Sequence, residues 1–251
     1  MHPFNVSLVV FLWVLGGAIV GMLLRKFLPE DHLTNDAKDV VRLATGLVVT
    51  MSALVLGMLV SSAKSSYDFQ KAEVSTMAAK IVLLDRVLAT YGPETAETRV
   101  QLRKFVESAI DRVWPSESKR HPELEPRVNV DRLFDNLQAL TPQTPQQIAA
   151  RSEALTMSLE LRESRWILFL QSENNSVSIP LLVVVVSWLA AIFISFGLFA
   201  PPNGTVIVTL IVCAIAVSAA VFIIQEMYTP FRGFLKISSA PIVDALNQLG
   251  N

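Results

Sequence analysis

The residues best suited to handling an ion or a proton are few, and they fall on helical steps. Gly46, Thr50, Ala53, Gly57 and Ser61 follow one another at intervals of four, three, four and four, which places them in one narrow stripe along a helix face. Small residues in such a row let two backbones approach closely where lipid supplies no hydrophobic drive for association. The hydroxyls of Thr50 and Ser61 allow a second reading, in which the row lines a permeation path and contacts a partly dehydrated ion. Thr209, Cys213, Ala216 and Ala220 repeat the rhythm, and Gly17 with Gly21 forms a GxxxG pair. Glu226 ends a long uncharged stretch; an acid at such depth is either paired and functional or reaching for the headgroup region.

No other group of residues assembles a reaction centre. His2, His32 and His121 stand apart from one another and from any acidic pair at ligand spacing, so no metal site is expected. Glu94, Glu97, Glu117, Glu123 and Glu125 read as solvated helix-face or loop charges. Neither a phosphate-binding glycine loop nor a nucleophile elbow is present, and the lone Cys213 says nothing about disulfides. A membrane enzyme would need a polar cluster at one shared depth, and only Gln225, Glu226 and Ser187 offer themselves, scattered. The expectation is a protein that is not an enzyme and uses no cofactor.

These residues depend on elements that the composition makes plain. The 251-residue chain is 52% hydrophobic and 17% charged, with a mean hydropathy of +0.47, too apolar for an ordinary water-soluble domain. Its charge comes in blocks, with no Asp, Glu, Lys or Arg before Arg25, between Arg42 and Lys64, or between Glu173 and Glu226. The net charge of -1 excludes nucleic acid as a partner, because phosphate-binding surfaces need dense Lys and Arg. A bilayer core of about 30 Å needs roughly 20 apolar residues in a helix, and four segments qualify: 5–24, 43–63, 179–199 and 205–225. The last two form a hairpin, separated by a turn at Pro202 and Asn203. The first segment lacks a basic stretch before it and a small-residue cleavage site after it, so it reads as a retained anchor rather than a signal peptide.

Between the second and third spans lies a polar insert with helical periodicity throughout. Val74, Met77, Ile81, Leu84, Leu88 and Tyr91 recur at steps of three and four; so do Leu102, Val106, Ala109 and Val113, and then Ile148, Leu155, Leu159, Trp166 and Phe169. Gly92 and Pro93 mark one break, the three prolines between Trp114 and Pro126 a loop, and Pro142 and Pro145 another break. The fold class is therefore an all-α integral membrane protein: four transmembrane helices with a soluble helical bundle between the second and third. The first and last bundle helices are expected to continue those two spans. The chain divides into residues 1–63 (spans one and two), 64–178 (the insert), 179–225 (spans three and four) and 226–251. In the last stretch Pro230 and Gly233 break the helix, and Phe231, Phe234 and Leu235 beside Arg232 and Lys236 suggest a segment lying along the membrane interface.

Near the membrane ends, Lys64, Lys71, Lys80, Arg162, Arg165, Arg232 and Lys236 lie on the insert's side. Arg25, Lys26, Lys38 and Arg42 lie on the other, accompanied by four acids. This bias places the insert and both termini in the cytoplasm, with the protein multi-pass in the inner (plasma) membrane. Arg25 and Lys26 read alone would argue the reverse.

The stretch from Gly21 to Asp68, the "LLDRVLATYGPET" from Leu83 and the ending "FGLFAPPNGT…EMYTPFRGFLKISSAP" from Phe196 together resemble a bacterial membrane family, the bestrophin-like domain. Many members carry Asp where this chain has Tyr228. The resemblance implies a distant similarity to bestrophins, which are oligomeric anion channels with four spans, cytoplasmic termini and a helical cytoplasmic part. The functional expectation is thus a homo-oligomeric ion channel in the lipid bilayer, conducting inorganic ions through a path lined by the second span and gated by the insert. The alternative is a membrane-anchored scaffold or sensor whose bundle binds a partner.

Overall fold

A computed structural model describes residues 3–29, 34–114, 130–174, 178–201, 203–231 and 233–250. The histidines, Glu117, Glu123, Glu125, Pro202, Arg232 and most of the proline-rich loop after Trp114 lie outside the described residues. The described chain is helical, with no strand: α1 (Pro3–Phe27), α2 (Asn35–Tyr91), α3 (Ala96–Val113), α4 (Val130–Ala139), α5 (Pro145–Asn174), α6 (Ile179–Phe199), α7 (Gly204–Met227) and α8 (Ala240–Gln248). Four of these, α1, α2, α6 and α7, are long and apolar enough to cross a membrane.

The helix ends follow from local chemistry. Pro3 opens α1 where its missing N–H costs nothing, and Ser7 donates its hydroxyl back to Pro3 and Phe4 carbonyls. The Thr34 hydroxyl accepts from Ala37 N–H at the start of α2, Thr144 does the same for Gln147 in α5, and Asn203 Oδ1 accepts from Val206 N–H in α7. At its far end α2 stops at Gly92, whose φ of 135° suits a residue without a Cβ. Its last carbonyls are taken up by side chains, the buried Thr95 hydroxyl donating to Leu88 O at 2.5 Å and Gln147 Nε2 to Tyr91 O at 3.2 Å.

The chain forms two compact units. The first comprises Met1–Tyr67 and Asn175–Thr229, the second Asp68–Asn174 and Pro230–Asn251. In the first, α1 and α6 pack most intimately, with α7 against α1. Glycines set the distance. A Cβ on Gly21 would lie 2.2 Å from Ile194 O, one on Gly197 2.2 Å from Ala18 O, and one on Gly17 2.9 Å from Ala190 O, so the two backbones touch. Around this contact Val10, Val14 and Ala18 meet Val185, Leu189 and Phe193, and α7 adds Leu210, Ala214 and Val221. α2 joins through Leu59 and Ala63, with a hydrogen bond of 3.0 Å between the Thr45 and Ser195 hydroxyls. Much of the outer surface is bare hydrocarbon, including Trp13, Leu47, Leu54, Ile179 and Val208, a surface matched to lipid rather than water.

The second unit buries Val74, Ile81, Leu84 and Leu88 from the distal part of α2, Leu102, Val106 and Ile110 from α3, and Leu133 and Leu137 from α4. Three expectations change here. The row predicted for α5 does not form its buried face: Ile148, Leu159, Trp166 and Phe169 are exposed, while Ala150, Ala154, Ser158, Leu161 and Ser164 are buried. The small face lets α5 come close to its neighbours and turns its large apolar side chains outward. Next, α5 does not run on into the third span: it ends at Asn174 and α6 begins at Ile179, with Pro180 in its first turn. Finally, the C-terminal segment belongs to this unit. Trp114 Nε1 donates to Ile237 O at 2.7 Å, the Phe231 ring meets Trp114 edge-on at 5.7 Å, and Arg103 donates to Leu249 O.

A buried ion pair fastens the same end of the unit. Arg99 grips Asp85 with two bonds of 2.7 Å each, and Gly250 N–H donates to the same carboxylate. Burial pushes the Asp85 carboxyl up, but the bonds from Arg99 and Gly250 and the Arg99 charge pull it down further, leaving it below its ordinary 3.8. A depressed acid contributes stability above its unfolded value and loses it as pH falls through the folded one.

Two predictions follow from this packing. Gly21→Ala, which drives a methyl group into the α6 backbone, lowers stability by about 1–3 kcal/mol. Gly16→Ala, with nothing within 4 Å of its Cβ, does not lower it. Thermal midpoints in detergent distinguish the two. Asp85→Asn costs about 2 kcal/mol, less than a fully buried pair because Arg99 keeps some solvent contact. It also flattens the decline in stability of the native protein as pH falls below 3.8, read from denaturation curves across that range.

Candidate functional site

The small-residue stripe lies on α2, and its surroundings follow from helix geometry. Val48, Ser52, Val55, Leu59 and Ala63 turn toward the first unit's core, and at 100° per residue Gly46, Thr50, Ala53, Gly57 and Ser61 fall on roughly the opposite side. All five are exposed, and a Cβ built on Gly46 or Gly57 meets nothing within 4 Å. Among the described residues the stripe therefore takes no part in close helix packing, in contrast to Gly17 and Gly21, whose GxxxG face is used against α6.

The stripe's polar chemistry is modest and directional. Thr50 Oγ1 donates to Gly46 O at 3.0 Å, which satisfies its hydrogen within the helix and leaves oxygen lone pairs facing outward. Ser62, next along from Ser61, has its hydroxyl in contact with Tyr228 OH at 3.4 Å. The second stripe also faces away from the core: Thr209, Cys213 and Ala216 are exposed and Ala220 is half-buried, while Leu210, Ala214, Ser218 and Val221 of α7 point inward. Thr209 donates its hydroxyl to Thr205 O, so it too is satisfied locally.

Glu226 does not extend to the surface. It is 3% exposed at the end of α7 and has a partner; the Thr229 hydroxyl donates to its backbone carbonyl. The residues singled out beside it are structural in their surroundings. Asn203 caps α7. Pro230 is buried and its carbonyl accepts from Ile237 N–H at 2.6 Å. Phe231 packs on Trp114, so that ring is inside the second unit rather than spread along an interface. Gly233, with φ of 93°, lies in the bend that brings Ile237 back to Pro230. Phe234 remains highly exposed.

Among the described residues no three His, Cys, Asp or Glu side chains converge as a metal site would require. Sequence reasoning did not single out Asp85, Arg99 or Thr95, since their importance arises from contacts across the turn at Gly92. It also gave no hint that Arg25 folds back onto the end of α6, its guanidinium donating to Ala200 O at 2.5 Å. The only signal for that contact was a cation in the last turn of α1, where it suits carbonyls at a helix end.

No curated protein and no solved structure matches the chain. A family model, that of the bestrophin-like domain, matches residues 11–242, a span that takes in α2, the insert and both hairpin helices. With four long apolar helices and a match over most of its length, the chain belongs to the bestrophin-like domain family.

Proposed function

We propose that the protein is an oligomeric ion-conducting pore of the plasma membrane, in which copies assemble so that the outward stripe of α2 faces a shared pathway. The observation that carries this reading is the bare stripe itself: Gly46, Thr50, Ala53, Gly57 and Ser61 lie opposite the face that α2 gives to its own core and are exposed among the described residues. A polar-dotted small face left open in lipid is best satisfied by water, ions or another copy. The channel character of bestrophins, with which the family shares its name, supports the same direction. α2 passes without interruption from residues of the first unit into residues of the second, which supports a gating role for the insert. The positive-inside bias supports placing the insert and both termini in the cytoplasm. The reading assigns no catalytic step and no cofactor.

The second reading, a scaffold or sensor, draws on α5. Its outward Ile148, Leu159, Trp166 and Phe169 are large, apolar and exposed, a row on which a partner could rest.

The decisive measurement is assembly followed by flux. Class averages of nanodisc-embedded protein should give a closed ring with α2 toward its axis. Thr50→Leu and Gly57→Leu should then change ion flux in liposomes by about tenfold or abolish it, while the thermal midpoint stays that of the native chain because nothing crowds Gly57. Monomeric protein, or liposomes silent to both anions and cations, would sink the pore and favour the scaffold.

A further inference from the structure

A groove of about 400 Å3 opens beside the last turns of α1 and α6. Its apolar wall is Ile19, Met22 and Leu23; its floor is Gly197 and Ala200; and Arg25 and Lys26 lie at its polar end. No acidic side chain is among the described residues that line it. Arg25 is half-buried and spends one guanidinium N–H on Ala200 O. Of the five donors a guanidinium carries, most are left for something else. Lys26 is exposed beside it. Ile19 and Leu23, four residues apart and each about half exposed at 49% and 48%, continue from the cations along one face of a helix apolar enough to cross a membrane.

The ligand complementary to this arrangement is anionic at one end and hydrocarbon at the other. A soluble anion would satisfy Arg25 and Lys26 but leave the Ile19–Leu23 row without a partner; an uncharged hydrocarbon would do the reverse. We propose that the groove binds the phosphodiester headgroup of an anionic membrane lipid, with Arg25 and Lys26 on the phosphate and the start of an acyl chain along Ile19, Met22 and Leu23. The proposal rests on the reading that α1 and α6 cross a bilayer, but not on conduction. Arg25 links the two halves of the site: its bond to the end of α6 orients the guanidinium, and a bidentate fork matches phosphate oxygens. Lys26 contributes a point charge. Gly197 lets α6 lie directly against α1 beside the groove, since a Cβ there would strike Ala18 O.

The experiment is native mass spectrometry of the detergent-purified full chain, titrated separately with phosphatidylglycerol and phosphatidylcholine. The native protein should hold phosphatidylglycerol about tenfold more tightly. Arg25→Gln with Lys26→Gln should erase that preference, and Arg86→Gln with Lys104→Gln, in the second unit, should retain it. Because Arg25→Gln also removes the bond to Ala200, Lys26→Glu serves as the second variant: it leaves that bond in place and should weaken phosphatidylglycerol while sparing phosphatidylcholine. Millimolar inorganic phosphate should not displace the lipid; displacement would mean an anion site only, and would overturn the proposal. Equal binding of the two lipids, or an unaltered preference in both groove variants, would overturn it as well. Alkaline extraction of membranes separates the causes. A chain released to water refutes the membrane reading on which the groove depends, whereas a retained chain without lipid preference refutes the groove alone.

Discussion

Two helices in hydrocarbon gain nothing by hiding apolar surface from lipid that is equally apolar, so their association depends on how closely they can touch. In this protein that contact is between α1 and α6, whose backbones meet at Gly17, Gly21 and Gly197. The rest of the first unit is arranged around it. α7 packs against α1, and α2 gives the assembly only the side bearing Leu59 and Ala63. Had the two helices carried larger residues at these positions, their backbones could not have met. The glycines of α2 are of another kind: Gly46 and Gly57 face open space, so their smallness serves nothing inside the chain.

The second unit is held by different forces. Its apolar core is ordinary, but its corners are fastened by polar groups that have lost water. Asp85, satisfied by Arg99 and by the Gly250 N–H, joins α2, α3 and the chain's end in one contact. Trp114 joins the end of α3 to Ile237 and Phe231. A buried carboxylate without these partners would be costly, so the C-terminal segment is part of this unit's structure rather than an appendage to the four apolar helices.

Hydropathy made the four apolar helices legible, because length and the absence of charge are properties that a sequence displays directly. The periodicity of α2 also read true in Val74, Ile81, Leu84 and Leu88, whereas α3 kept only Leu102 and Val106 of its expected row: Ala109 is half-buried, Val113 is exposed, and Ile110 is buried instead. α5 misled for the converse reason. Its buried face is Ala150, Ala154, Ser158, Leu161 and Ser164, mostly small, and a pattern weighted by large apolar residues pointed instead at the side that remains largely exposed. The stripe of α2 was visible as a stripe, but which way it faced was not, because small residues suit close packing and open space equally. Contacts such as Asp85 with Arg99, or Arg25 with Ala200, join residues whose proximity depends on how helices pack, and no local spacing announces them.

The bare side of α2 has a thermodynamic corollary. If copies assemble through such a surface, as proposed above, mass action in two dimensions governs them, and their association would depend on protein density in the bilayer rather than on the stability of each chain. Dilution with lipid would separate them while every helix stayed intact. The fraction assembled, and whatever that assembly does, would then vary with how crowded the membrane is.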